Sequence, residues 1–159
     1  MTDAHNLQRF LHAQERVYDT VLAELRSGRK TSHWIWFIFP QIAGLGHSAM
    51  AQKFAIGSLD EAKSYLQHPI LGPRLRACTQ LVLDVNGRSA EEIFGYPDYL
   101  KFRSCMTLFL AAATDNTKCF NCSCLPRTDY TYAFPRHLSA LLLKKAVTGA
   151  ASHGSAARP

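Results

Sequence analysis

Lys30 and His33 open a block, His33-Trp34-Ile35-Trp36-Phe37-Ile38-Phe39-Pro40-Gln41, with more aromatic surface than one short segment needs for packing. A core accounts for Ile35, Phe37, Ile38 and Phe39. It accounts poorly for His33 and Gln41, whose polar groups need partners when buried. Each indole also needs an acceptor for its N–H if it goes inside. The alternative is the wall of a pocket, with Trp34 or Trp36 stacking on the ring of a ligand.

A second stretch carries matching chemistry. Lys101, Ser104 and Thr107 recur at intervals of three and share one face if residues 97–113 are helical. Pointing inward, that face suits a phosphate or carboxylate; pointing outward, it is merely solvated. Ser104 and Lys101 could also form a nucleophile and base pair. No oxyanion hole is evident, so binding takes precedence over hydrolysis. Gly44-Leu45-Gly46-x-Ser48 leads into a helix start, where backbone N–H groups can hold an anion. It lacks the lysine of a phosphate loop, and a tight turn explains the glycines better. Arg74 and Asp98 are structural ion-pair candidates.

Cys119, Cys122 and Cys124, with His137, have the chemistry of a zinc ligand set. They form one cluster rather than two separated pairs, so no metal or other cofactor is expected. Five cysteines are an odd number, which argues against a disulfide framework. Cys78 and Cys105 sit in apolar helical patterns and read as core.

The elements that must position these residues are helical. Leu7, Phe10, Leu11, Val17, Tyr18, Val21, Leu22 and Leu25 recur at helical spacing, with Arg9, Glu15, Arg16, Asp19 and Glu24 on the other face. This predicts one helix over 6–27, with Asn6 as cap and Gly28 as stop. The aromatic block predicts a short buried helix ended by Pro40, followed by another over 48–55. Ser58 to Glu61 reads as a capping box that opens a helix to about His68. Pro69 then suits the first turn of a helix that turns Ile70, Leu71, Leu75, Cys78, Val82 and Val85 inward and stops at Gly87. Ser89 to Glu92 is a second capping box. The last of seven helices runs from Pro97 to about Ala113, with Leu100, Met106, Leu108, Phe109 and Ala112 as core.

The chain has 159 residues, of which 47% are hydrophobic and 19% charged, which excludes a wholly disordered protein. No apolar run approaches the 18 or so residues of a membrane span. The start, Met1 to Gln8, lacks the basic and apolar regions of a secretory signal. A soluble, cytoplasmic, all-α single domain is expected over 5–113. Residues 1–113 hold 12 basic and 10 acidic side chains, against 6 and 2 in 114–159. The excess of +6 therefore lies mostly in the last segment. That segment reads as a divergent, partly disordered basic tail, with one helix over 135–147. A basic tail on a near-neutral domain is not the folded basic face of a nucleic-acid binder.

These motifs resemble a known family. Arg9-Phe10, Ala13-Gln14, Tyr18, Glu24-Leu25-x-x-Gly28, Lys30 and the block from His33 to Gln41 come first. Gly44-Leu45-Gly46-x-Ser48, Tyr65-Leu66-x-His68-Pro69-x-Leu71-Gly72-x-Arg74-Leu75, Phe94-Gly95-x-Pro97-Asp98, Lys101 and Ser104-x-Met106-Thr107-Leu108-Phe109 follow. Together they are similar to the DUF1810 family, with matching that stops near Phe120. The resemblance implies an all-helical domain and no established activity. The calpastatin label carried by some members has no physical support, since such inhibitors are long and disordered. Phe54 replaces a usual tyrosine.

The leading functional expectation is a small-molecule-binding domain, with or without an enzymatic step, for an anionic aromatic ligand such as a nucleotide or an ADP-ribose derivative. Lys30 and Lys101 would meet its charge and Trp34 and Trp36 its ring. His33, Gln41, Ser48, Ser104 and Thr107 would orient it. The alternative is a non-enzymatic protein-interaction module. Sequence leaves the oligomeric state open.

Overall fold

The apolar positions of residues 7–25 do go inside, but on two helices rather than one. In the computed structural model, which describes residues 5–113, α1 spans Gln8–Glu15 and α2 spans Tyr18–Arg26. The chain breaks at Val17, whose backbone (φ −121°, ψ −6°) leaves the helical region. No Gly or Pro marks that break, and the hydrophobic spacing runs on across it, so periodicity alone reads the two as one. Asn6 does not cap α1 through its side chain; Leu7 holds the cap position, and the Asn6 carbonyl instead accepts from Arg9.

The remaining helices are α3 (Ile35–Ile38), α4 (Ala49–Lys53), α5 (Leu59–Gln67), α6 (Leu71–Asp84), α7 (Ala90–Phe94) and α8 (Asp98–Ala112). Eight helices and no named strand occur among the described residues, with one isolated parallel bridge between Ile42 and Ile56. The domain is all-α, as expected. None of these helices is long and apolar enough to cross a membrane. The tail, its helix over 135–147 and the Cys119, Cys122, Cys124 and His137 set lie outside the described residues.

Local chemistry sets most of the boundaries. Ser89 accepts from the Glu92 amide at 3.2 Å, and Glu92 accepts from the Ser89 amide at 2.6 Å, closing the capping box of α7. At α5 the box is half formed. Ser58 accepts from the Glu61 amide, but the Glu61 carboxylate takes the Gly57 amide at 2.8 Å and Arg9 at 2.6 Å. The α5–α6 join passes through Pro69 and Ile70 before α6 begins, so Ile70 turns outward and is 45% exposed. Leu100 also faces out, at 41%. Both had been expected inside.

The core is strongly aromatic. Phe39, Phe94 and Phe102 tie the α3 segment to α7 and α8, with Phe94 stacked on Phe102 at 4.8 Å and Phe39 edge-on to Phe102 at 4.9 Å. Phe10, Tyr65 and Phe109 join α1 to α5 and α8 through centroid distances of 5.1 and 5.3 Å. The α3 block is thus the middle of the molecule, and its flanks carry the candidate chemistry.

Candidate functional site

Gly28 ends α2 at φ +67°, where a side chain is disfavoured and a Cβ would press on Val85 Cγ1 at 3.0 Å. The chain then turns back over α2 and meets Glu24. Sequence pattern placed Glu24 on the polar face of its helix; the fold instead buries it, 9% exposed. Its Oε2 accepts from the Thr31 amide (2.9 Å), the Ser32 amide (3.2 Å) and Trp34 Nε1 (2.8 Å). Its Oε1 accepts from the hydroxyls of Thr31 (2.8 Å) and Ser32. Burial pushes this carboxyl up, but the hydrogen bonds from Ser32, Thr31 and Trp34 outweigh it and bring its pKa down to about 2. The signal was present in the sequence: a buried indole needed an acceptor, and a carboxylate stood ten residues upstream.

The same loop carries Lys30. Its amide donates to the Ile93 carbonyl at 2.8 Å, which fixes the backbone against α7. Its Nζ, on a side chain only 6% exposed, lies 2.6 Å from Asp98 Oδ2 and 5.2 Å from the Trp34 ring. Asp98 begins α8, where a carboxylate also complements the positive helix end. Its second oxygen receives Lys101 Nζ at 2.7 Å. Lys101 in turn lies 4.6 Å above the Trp36 ring. Burial raises the Asp98 carboxyl, yet the bonds from Lys101 and Lys30 hold it below the ordinary aspartate range.

Lys30, Trp34, Trp36 and Lys101 therefore converge across 71 residues of sequence, and Asp98 is the centre on which the two lysines close. The negative charge they meet belongs to the protein, where the sequence reading had them meet a ligand. Asp98 is not a partner of Arg74, which goes to Gln14 and Tyr18.

Other residues are placed differently. Trp34 is 1% exposed, and its N–H is spent on Glu24, so it presents no face on which a ligand could stack. Trp36 is half-buried and His33 exposed, on opposite sides of Trp34 in the chain. Ser104 and Thr107 are half-buried on the Lys101 face, with hydroxyls donating to the Leu100 (2.9 Å) and Arg103 (3.1 Å) carbonyls of their own helix. Ser104 is not paired with Lys101 as nucleophile and base. The lysine is held in an ion pair and the hydroxyl points down the helix. Ser48 is exposed and caps α4, accepting from the Ala51 amide at 3.2 Å. The Gln41 carbonyl accepts from the Ile56 amide at 2.8 Å. Neither residue is hydrogen-bonded to the lysine cluster. Among the described residues no group of three or more His, Cys, Asp or Glu could hold a metal ion.

Comparison with known proteins gives kinship without an activity. The crystal structure of the conserved hypothetical protein Rv1873 from Mycobacterium tuberculosis is similar, with 51% sequence identity and a TM-score of 0.81. The match covers 89% of this chain and 99% of that one. Among curated proteins none matches. The family model described as "Protein of unknown function (DUF1810)" matches residues 4–125, past the point near Phe120 where the matching motifs stop. By that match, which takes in the eight helices of the described residues and the Lys30–Asp98–Lys101 cluster, the chain belongs to the DUF1810 family.

Proposed function

We propose that this chain is a cytoplasmic small-molecule-binding domain for an anionic ligand with a flat ring, such as a nucleotide or an ADP-ribose derivative. One observation carries the reading: two ammonium groups share one carboxylate beside a half-buried indole. The trio keeps a net positive charge in a partly desolvated setting, where a second anion gains more than it would in water. Lys101, whose side chain is 20% exposed, is the cation within reach. Trp36 supplies the ring surface, and Ser104 and Thr107, whose hydroxyl protons go to helix carbonyls, offer oxygens that accept from N–H or O–H groups of the ligand's ring or sugar. Lys30 acts through Asp98, holding the carboxylate so that Lys101 is aimed.

Thermal melts with a panel of nucleotides and ADP-ribose test this. A ligand at a hundred times its dissociation constant adds about 2.7 kcal/mol of stability. Lys101→Met and Trp36→Ala should keep the fold and abolish the shift. A melting temperature that no member of the panel moves would remove the proposal.

The interaction-module reading has its own support. Tyr96 is 79% exposed and Leu100 41%, flanking the start of α8. Under that reading Tyr96→Ser and Leu100→Ser would change self-association in sedimentation, while the nucleotide panel stayed silent.

A further inference from the structure

Gln14 lies in the interior of the molecule, 1% exposed, with both ends of its amide committed. Its Nε2 donates to the Phe37 carbonyl at 2.8 Å and to the Tyr65 hydroxyl at 3.2 Å. Its Oε1 accepts from Arg74 Nη1 at 3.2 Å. The Arg74 guanidinium also lies over the ring of Tyr18, 4.4 Å from its centroid. It is therefore fixed from two directions, by an amide at one edge and by an aromatic face.

What it lacks is a counter-ion. Arg9 ends on Glu61, and Lys30 and Lys101 end on Asp98, but Arg74 forms no ion pair among the described residues. A guanidinium has five N–H donors, and Gln14 satisfies one of them. No buried side-chain nitrogen or oxygen among the described residues is without a partner, so the remaining donors open outward. Tyr18 stays a neutral phenol beside it: burial pushes its pKa up to about 12, with the Cys78 thiol adding to the rise and Arg74 and Arg26 opposing it.

We propose that Arg74, set on Tyr18 and braced by Gln14, is a second ligand site, distinct from the lysine cluster, that binds the carboxylate of a small monoacid. The free edge of the guanidinium matches the two oxygens of a carboxylate in a forked pair of hydrogen bonds. A flat acceptor with two oxygens lies in the plane of the fork, which is the shape of a carboxylate rather than of a tetrahedral phosphate. The site touches the α3 block through the Phe37 carbonyl, whereas the lysine cluster touches it through Trp36.

The test uses the full chain titrated with sodium acetate, against sodium chloride and sodium phosphate at matched ionic strength. The melting temperature should rise saturably with acetate alone, lose that rise in Arg74→Gln, and need at least tenfold more acetate in Arg74→Lys. Lys101→Met should keep the response, which separates this site from the function proposed above. Acetate acting no better than chloride, phosphate acting as well as acetate, or a rise that survives Arg74→Gln would each overturn the proposal. So would Asp115→Asn or Asp129→Asn destabilising the chain as much as Arg74→Gln, since the carboxylate would then be internal. Should Arg74→Gln not fold, tyrosine-labelled NMR of the unaltered chain decides. Acetate must move the Tyr18 ring signals and leave those of the exposed Tyr96 in place; equal movement, or none, refutes the site.

Discussion

Glu24 shows how much a single side chain can organise. Its carboxylate gathers two amides, two hydroxyls and an indole N–H, and so fixes the loop from Thr31 to Trp34 against α2. A carboxyl whose pKa falls from 4.5 to about 2 on folding stabilises the fold fully above pH 4.5 and loses that contribution as pH drops towards 2. Allowing for partial screening by solvent, the shift corresponds to a contribution on the order of 1–3 kcal/mol. Urea denaturation between pH 6 and pH 2 should show a decline of that order, which Glu24→Gln largely abolishes at the cost of lower stability at pH 6. A decline of the same size in the variant would show that other groups carry it. Trp34→Ala, which removes a buried ring and leaves Glu24 short of a donor, should cost roughly 3–5 kcal/mol by the same measurement. Had Trp34 lined a pocket, as its sequence context allowed, the loss would fall on ligand affinity instead. Sequence identified the residues that matter here but not which side of the wall they stand on. Lys30 and Asp98 are 68 positions apart, and nothing local to either reveals that one neutralises the other.

At the level of helices, the signals that read correctly were those written into adjacent residues. Ser89 with Glu92, Ser58 with the Glu61 amide, and Gly28 after α2 each act within four positions, so pattern and structure agree. The α1–α2 break did not read, because the backbone turns at Val17 without any residue that forces a turn. Gly72 has a role of a different kind. It sits in the first turn of α6, where a Cβ would lie 2.1 Å from the Leu66 carbonyl oxygen and 2.9 Å from its carbon. Those are backbone atoms at the end of α5 and cannot rotate away. Gly72→Ala should therefore force α5 and α6 apart and lower stability by about 1–3 kcal/mol, despite the better helix propensity of alanine. Urea midpoints check this, with Gly87→Ala as a comparison. At Gly87 nothing lies within 4 Å of the added carbon, and φ of +77° sets the cost, about 1–2 kcal/mol of backbone strain. A Gly72→Ala protein as stable as the parent would mean that the close approach relaxes freely.

Across the whole molecule, the Lys30–Asp98 pair joins the loop after α2 to the beginning of α8, and so ties an early segment of the chain to the last described helix. With Lys30 only 6% and Asp98 17% exposed, neither charge recovers full hydration inside. Such a pair contributes little against an apolar substitute of the same shape, yet breaking it from one side is expensive. Asp98→Asn should thus destabilise the protein by about 3–5 kcal/mol, because Lys30 is left as a buried cation without its counter-ion and Lys101 is released with it. Lys30→Met in the Asp98→Asn background should recover part of that loss, giving a double-mutant cycle with a large interaction term. Lys101→Met should cost far less, since Asp98 keeps Lys30 as its counter-ion and no buried charge is left unpaired. If Asp98→Asn proved as mild as Lys101→Met, the carboxylate would not be the centre of the cluster, and the net positive charge on which ligand binding at Trp36 depends would have no structural basis.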